Sequence, residues 1–199
     1  MLQLSAMKRI CVFCGSSGGT DPVYMKTAAE VGAFLASRGI ELVYGGGRVG
    51  LMGRIADSVL ANGGKVIGVI PEALAKKEIE HEGLTELYVV NSMHERKAMM
   101  AEFADGFIAM PGGFGTFEEF CEIVTWAQLG IHQKPCGLLN VNGFYDSLIE
   151  LFDHSTSNGF VREEHRGIVL VESEISRLFE AMSHYQPPAI EKWIDKSST

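Results

Sequence analysis

Three stretches of the chain combine glycine with small or polar residues in patterns suited to holding an anion. They are Gly15-Ser16-Ser17-Gly18-Gly19, Gly45-Gly46-Gly47-Arg48-Val49-Gly50-Leu51-Met52-Gly53 and Pro111-Gly112-Gly113-Phe114-Gly115-Thr116-Phe117-Glu118-Glu119. Glycine lets backbone amides approach a phosphate closely and permits positive φ. Where such a loop opens a helix, the helix N-terminus adds partial positive charge. One loop alone says little. Gly45-x-Gly47-x-x-Gly50, with Glu72 further along, matches a dinucleotide fingerprint, yet it reads equally as a tight turn with close helix–sheet packing. Three such loops meeting at one sheet edge point to phosphate binding.

Near the third loop stand residues able to move protons. Thr116-x-x-Glu119 is first of all the pattern of a capping box, in which the glutamate bonds back to the threonine N–H. Its place beside a phosphate-binding loop gives Glu119 a second reading, acid–base work, while Glu118 projects elsewhere. Arg96 and Lys97, in Met93-His94-Glu95-Arg96-Lys97, read as surface charges of an amphipathic helix. If the strand before that helix neighbours the strand before Glu119, the guanidinium can orient a carboxylate or a phosphate. Cys11 and Cys14 are spaced so that a strand sends them to opposite faces, unlike a redox pair at a helix start. With Cys121 and Cys136 they read as buried, reduced thiols. The six histidines show no metal-ligand spacing, so neither a metal nor a cofactor is expected.

The elements that must position these residues follow from punctuation and periodicity. Strands are expected at 8–14, 41–44, 65–70, 86–90, 106–110, 135–139 and 168–171. Helices are expected at 22–38, 51–61, 92–103, 116–129, 145–157 and 174–184, with Pro22 in a first turn and Ser92 as a cap. Residues 71–84 read as a long charged loop, 1–7 as a short extension, and 187–199 as a tail in which Ile190, Trp193 and Ile194 can pack. Strands separated by helices force right-handed parallel crossovers. The expected fold is therefore a single α/β domain over 1–199, a doubly wound, Rossmann-like parallel sheet with helices on both faces. Ligands of such sheets bind beyond the carboxyl ends of the strands, where the glycine loops lie.

Composition narrows the partners. The 199 residues carry a formal net charge of −8, which repels polyanions and argues against nucleic-acid binding. With 46% hydrophobic and 21% charged residues the balance is globular. No apolar run approaches the roughly 20 residues of a membrane helix, and the start lacks a secretory pattern. A cytoplasmic protein with a small anionic ligand is the expectation.

Beyond pattern reading, the run Pro111 to Glu119 resembles the PGGxGTxxE signature of the LOG (Lonely Guy) family. Those proteins are cytokinin riboside 5′-monophosphate phosphoribohydrolases, often mislabelled as lysine decarboxylases. Cys14-Gly15-Ser16-Ser17, Tyr44 through Gly53, Met93 through Lys97 and Thr125-Trp126-Ala127-Gln128-Leu129-Gly130 also resemble family motifs, so the likeness covers nearly the whole chain. It implies hydrolysis of the N-glycosidic bond of an adenine-type nucleoside 5′-monophosphate, with Arg96 and Glu119 as the catalytic pair. It further implies substrate binding by Gly112, Gly113, Phe114, Gly115 and Thr116, by Ser16 and Gly46, and by Glu78, Lys97 and Thr125, in a homodimer whose interface helices lie near the site. Three other readings stay open: a pyridoxal-dependent decarboxylase, a nicotinamide-dependent oxidoreductase, and a nucleotide carrier without catalysis.

Overall fold

Short apolar runs alternating with amphipathic stretches assemble into one seven-stranded sheet. The computed structural model describes residues 7–75, 81 and 83–189. The strands are β1 (Arg9–Phe13), β2 (Glu41–Tyr44), β3 (Val66–Pro71), β4 (Glu86–Val90), β5 (Gly106–Ala109), β6 (Cys136–Leu139) and β7 (Val169–Glu172). The helices are α1 (Pro22–Ser37), α2 (Gly50–Ala61), α3 (Glu72–Ala75), α4 (Met93–Phe103), α5 (Phe114–Gln128), α6 (Asp146–Ser157), α7 (Glu163–Arg166) and α8 (Ile175–Ser183). All pairings are parallel, in the order β4-β3-β2-β1-β5-β6-β7.

A sheet covered on both faces needs strands that are apolar on both faces, and β3 and β5 are buried throughout. Alternate side chains divide between two layers. Ile10, Leu42 and Val66 pack with Leu35 of α1, Ile55 of α2 and Leu178 of α8. Cys11, Val43, Ile67 and Phe107 pack with Met100 of α4 and Phe120 of α5. Cys11 and Cys14 accordingly fall in different layers, and both are free thiols.

Winding reverses between β1 and β5, so the loops that follow these two strands open side by side at the topological switch point. The expected adjacency of the fourth and fifth strands is corrected. β4 is an edge strand, and β3, β2 and β1 separate it from β5. The right-handed return from that edge carries α4 beneath β3, β2 and β1. It is this diagonal crossing, not strand adjacency, that brings α4 to the centre of the molecule.

Smaller differences concern short elements. Residues Val141–Gly143 form a 3-10 turn, Glu163–Arg166 a single helical turn, and Glu72–Ala75 another inside the stretch expected as loop. Runs this short show no periodicity to read. Residues 1–6, Glu78 and the tail residues Ile190, Trp193 and Ile194 lie outside the described residues.

Candidate active site

The three glycine loops meet, and Gly15 joins them. Its N–H donates to the Pro111 carbonyl at 3.0 Å, and its carbonyl accepts from the Leu51 N–H, also at 3.0 Å. The contacts are too close for side chains. A Cβ on Gly15 would lie 3.3 Å from the Cα of Gly112, and one on Gly50 would lie 2.5 Å from both the Ser16 carbonyl oxygen and the Ser17 nitrogen. Gly50 also holds φ at +62°, a region that costs other residues strain. Gly50→Ala is therefore expected to lower stability by about 2 kcal/mol through overpacking and strain. In a chain of this size that is a melting temperature lower by roughly 5 °C. A wild-type melting curve would contradict the packing account.

Between the first and third loops lies a cavity of about 310 Å³, lined by Ser16, Ser17, Gly18, Gly113, Tyr24 and Phe144 among others. That volume suits a small ligand. α5 begins at this cavity, and its N-cap is Gly113, which has no side chain to satisfy the first-turn amides. Those N–H groups are disposed to bind an anion.

Because α5 starts at Phe114, Thr116 is already inside the helix and the expected Thr116–Glu119 capping box does not form. Thr116 is buried beneath Gly112, and Glu119 turns toward α4. Its Oε1 lies 3.3 Å from Nη1 of Arg96, in an ion pair whose side chains are 11% and 10% exposed. Arg96 is held on its other sides by backbone. Its Nε donates to the Val69 carbonyl at 3.1 Å and its Nη2 to the Gly45 carbonyl at 3.4 Å. A comparable serine–glutamate pair, Ser92 and Glu95, caps the start of α4 instead. Ser92 Oγ accepts from the Glu95 N–H at 3.1 Å, and the Glu95 carboxylate accepts from the Asn91 N–H at 2.8 Å. Burial pushes the Glu119 carboxyl above the ordinary range, and the Arg96 guanidinium opposes that rise without cancelling it.

Lys97 is buried too, its Nζ 2.5 Å from Glu118 Oε1 and 3.0 Å from Glu122. Burial alone would lower its pKa, but the two carboxylates outweigh it and hold the amine protonated. Reading the sequence missed both partners, although i, i+4 spacing on α5 was the available signal. Lys97, Glu122 and Trp126 line a second cavity, of about 680 Å³, between α4 and α5.

Ser16 stands at the first cavity, and Gly46 sits on the second loop with φ at +78°. Phe114 is almost fully exposed at the start of α5, between Gly113 and Gly115. Thr125 lies roughly 13 Å further along the helix axis than Thr116. It is exposed and its hydroxyl donates to the Cys121 carbonyl, so the single chain does not bring it to the glycine loops. The fingerprint glycines have packing reasons of their own: Gly45 borders Arg96 and Gly50 the Ser16 backbone.

Doubly wound α/β proteins hold their ligands at the switch point, and here the convergent glycine loops, the open start of α5 and the buried arginine–glutamate pair stand together at that point. Comparison with known proteins makes the class specific. Residues 52–182 match a family model described as possible lysine decarboxylase. The cytokinin riboside 5′-monophosphate phosphoribohydrolase LOG of Oryza sativa subsp. japonica is 50% identical over 183 residues, which span 92% of this chain and 76% of that one. LOG2 of Arabidopsis thaliana, of the same description, is 49% identical over 92% of this chain and 86% of its own. Among solved structures, a molybdenum cofactor carrier protein from Chlamydomonas reinhardtii superposes with a TM-score of 0.65 at 22% identity, covering 87% of this chain and 94% of that one. That last likeness is one of fold. The chain belongs to the LOG family of phosphoribohydrolases.

Proposed function

We propose that this chain hydrolyses the C1′–N9 bond of adenine-type cytokinin nucleoside 5′-monophosphates, giving free base and ribose 5-phosphate. The observation that carries the reading is the buried Arg96–Glu119 pair beside the glycine-loop cleft. Breaking the glycosidic bond builds positive charge on the ribose ring, which the Glu119 carboxylate stabilises. Glu119 also takes a proton from the attacking water, whose oxygen bonds to C1′ as the C1′–N9 bond breaks, and that proton passes on to the nitrogen of the departing base, leaving Glu119 ionised again. Arg96 keeps the carboxylate ionised and aimed. The 5′-phosphate sits on the amides of Gly113 to Thr116, with Ser16 and Gly46 nearby, and positions the sugar away from the bond that breaks. Glu78, Lys97 and Thr125 complete the substrate wall in a cytoplasmic homodimer.

This reading makes the 5′-phosphate indispensable. AMP should release adenine, whereas adenosine should be cleaved at least about 100-fold less efficiently, since remote binding drives orientation. Equal cleavage of the two would remove the glycine loops from the mechanism. Thr116→Ala should raise KM about tenfold with kcat little changed, as expected for one hydrogen bond to a charged group. An unchanged KM would count against its phosphate contact. The decarboxylase description fits the site poorly, because a Schiff-base lysine must lose its proton and Lys97 is held protonated.

A further inference from the structure

Gly45 directly follows β2 and precedes α5, the helix of Glu119, by three strands and three helices in the chain path, yet its surroundings are the Arg96 guanidinium. A Cβ built on Gly45 would fall on Nη2 of Arg96, with Cζ of the same side chain at 3.1 Å and Met52 Sδ at 3.3 Å. The Gly45 carbonyl is itself an acceptor for that nitrogen. Its backbone does not demand glycine, since Gly45, unlike Gly46 and Gly50, is outside the positive-φ set. The guanidinium has no easy retreat. Nε is fixed by the Val69 carbonyl and Nη1 faces Glu119.

Resting on the reading of Arg96 and Glu119 as the catalytic pair, we infer that Gly45 is a positioning residue, glycine because only a hydrogen at Cα leaves room for Arg96 to aim at Glu119. The packing alternative, a turn that merely needs glycine, lacks both a strained φ and a backbone clash at this position. Displacing the guanidinium also has an electrostatic consequence. Glu119 is faced by Arg96 and Lys97 from α4, by Glu118 and Glu122 from its own helix, and by the thiols of Cys11 on β1 and Cys14 just past its end. Of these, Arg96 opposes the burial effect most strongly, so moving it lets the carboxyl rise further.

The test is a double-mutant cycle in base release from AMP, using Gly45→Ala, Arg96→Ala and the pair. Gly45→Ala should lower kcat about 100-fold, the cost of misplacing a catalytic group by an ångström. The acid limb of its kcat/KM profile should also move to higher pH. In the Arg96→Ala background the same substitution should change kcat by less than about twofold, because its target has gone. The cycle is also read in melting temperature, where any loss caused by Gly45→Ala should vanish once Arg96 is alanine. Thus a single variant that fails to fold still leaves the double variant as folded as Arg96→Ala. Wild-type kcat in Gly45→Ala, or equal losses in both backgrounds in rate or in melting temperature, would overturn the inference. Full activity in Arg96→Ala alone would instead overturn the catalytic reading beneath it.

Discussion

Glu119→Gln is expected to lower base release by about 1,000-fold, within the range for loss of a positioned acid–base group. The amide keeps the shape of the side chain but can neither accept a proton from water nor stabilise a cationic ribose ring. Because the carboxyl titrates above its ordinary range, wild-type kcat/KM should fall as pH drops through that raised value. The residual activity of the variant should lack this limb. Stability carries the matching sign. The folded state binds the Glu119 proton more tightly than the unfolded chain, so the stability it contributes is present below the ordinary value and lost as pH rises through the raised one. The variant should not lose stability across that window. Near-wild-type turnover would remove Glu119 from the chemistry.

Arg96→Ala carries the second large effect, a loss of about 100-fold or more in kcat. It removes the charge that orients Glu119 and vacates three partners together: the Val69 and Gly45 carbonyls and the carboxylate itself. Breaking a buried pair from one side costs about 3 kcal/mol, part of which Glu119 recovers by taking up a proton. The variant should therefore fold, melt several degrees lower and work best at higher pH than the wild type. A variant with unchanged kcat, or with an unmoved acid limb, would show that the ion pair plays no part in turnover.

The alternation that gave the sheet was legible, and so were the glycine loops at its carboxyl edge, because glycine and proline punctuation is local. What joins the site was not. Arg96 and Glu119 meet because α4 crosses three strands on its way back from the sheet edge, a path that strand order determines and that no short window of sequence encodes. The two boxes make the same point. Ser92-x-x-Glu95 caps a helix because Ser92 precedes it, whereas Thr116-x-x-Glu119 does not because Gly113 starts α5 earlier. The Glu118–Lys97–Glu122 cluster was hidden for a similar reason, since each charge alone looks solvated. For Glu119 the acid–base reading rests on its position beside a glycine loop and on the resemblance, while the capping role that its local pattern favoured does not form.

The fold is shared with a molybdenum cofactor carrier protein, so the decisive question is whether bound nucleotide is broken. Purified protein should be incubated with AMP and, separately, with isopentenyladenosine 5′-monophosphate, and the products separated by chromatography. Free base and ribose 5-phosphate should appear in equal amounts from at least one of the two. Recovery of intact nucleotide from protein that demonstrably binds it would contradict hydrolysis and leave a carrier.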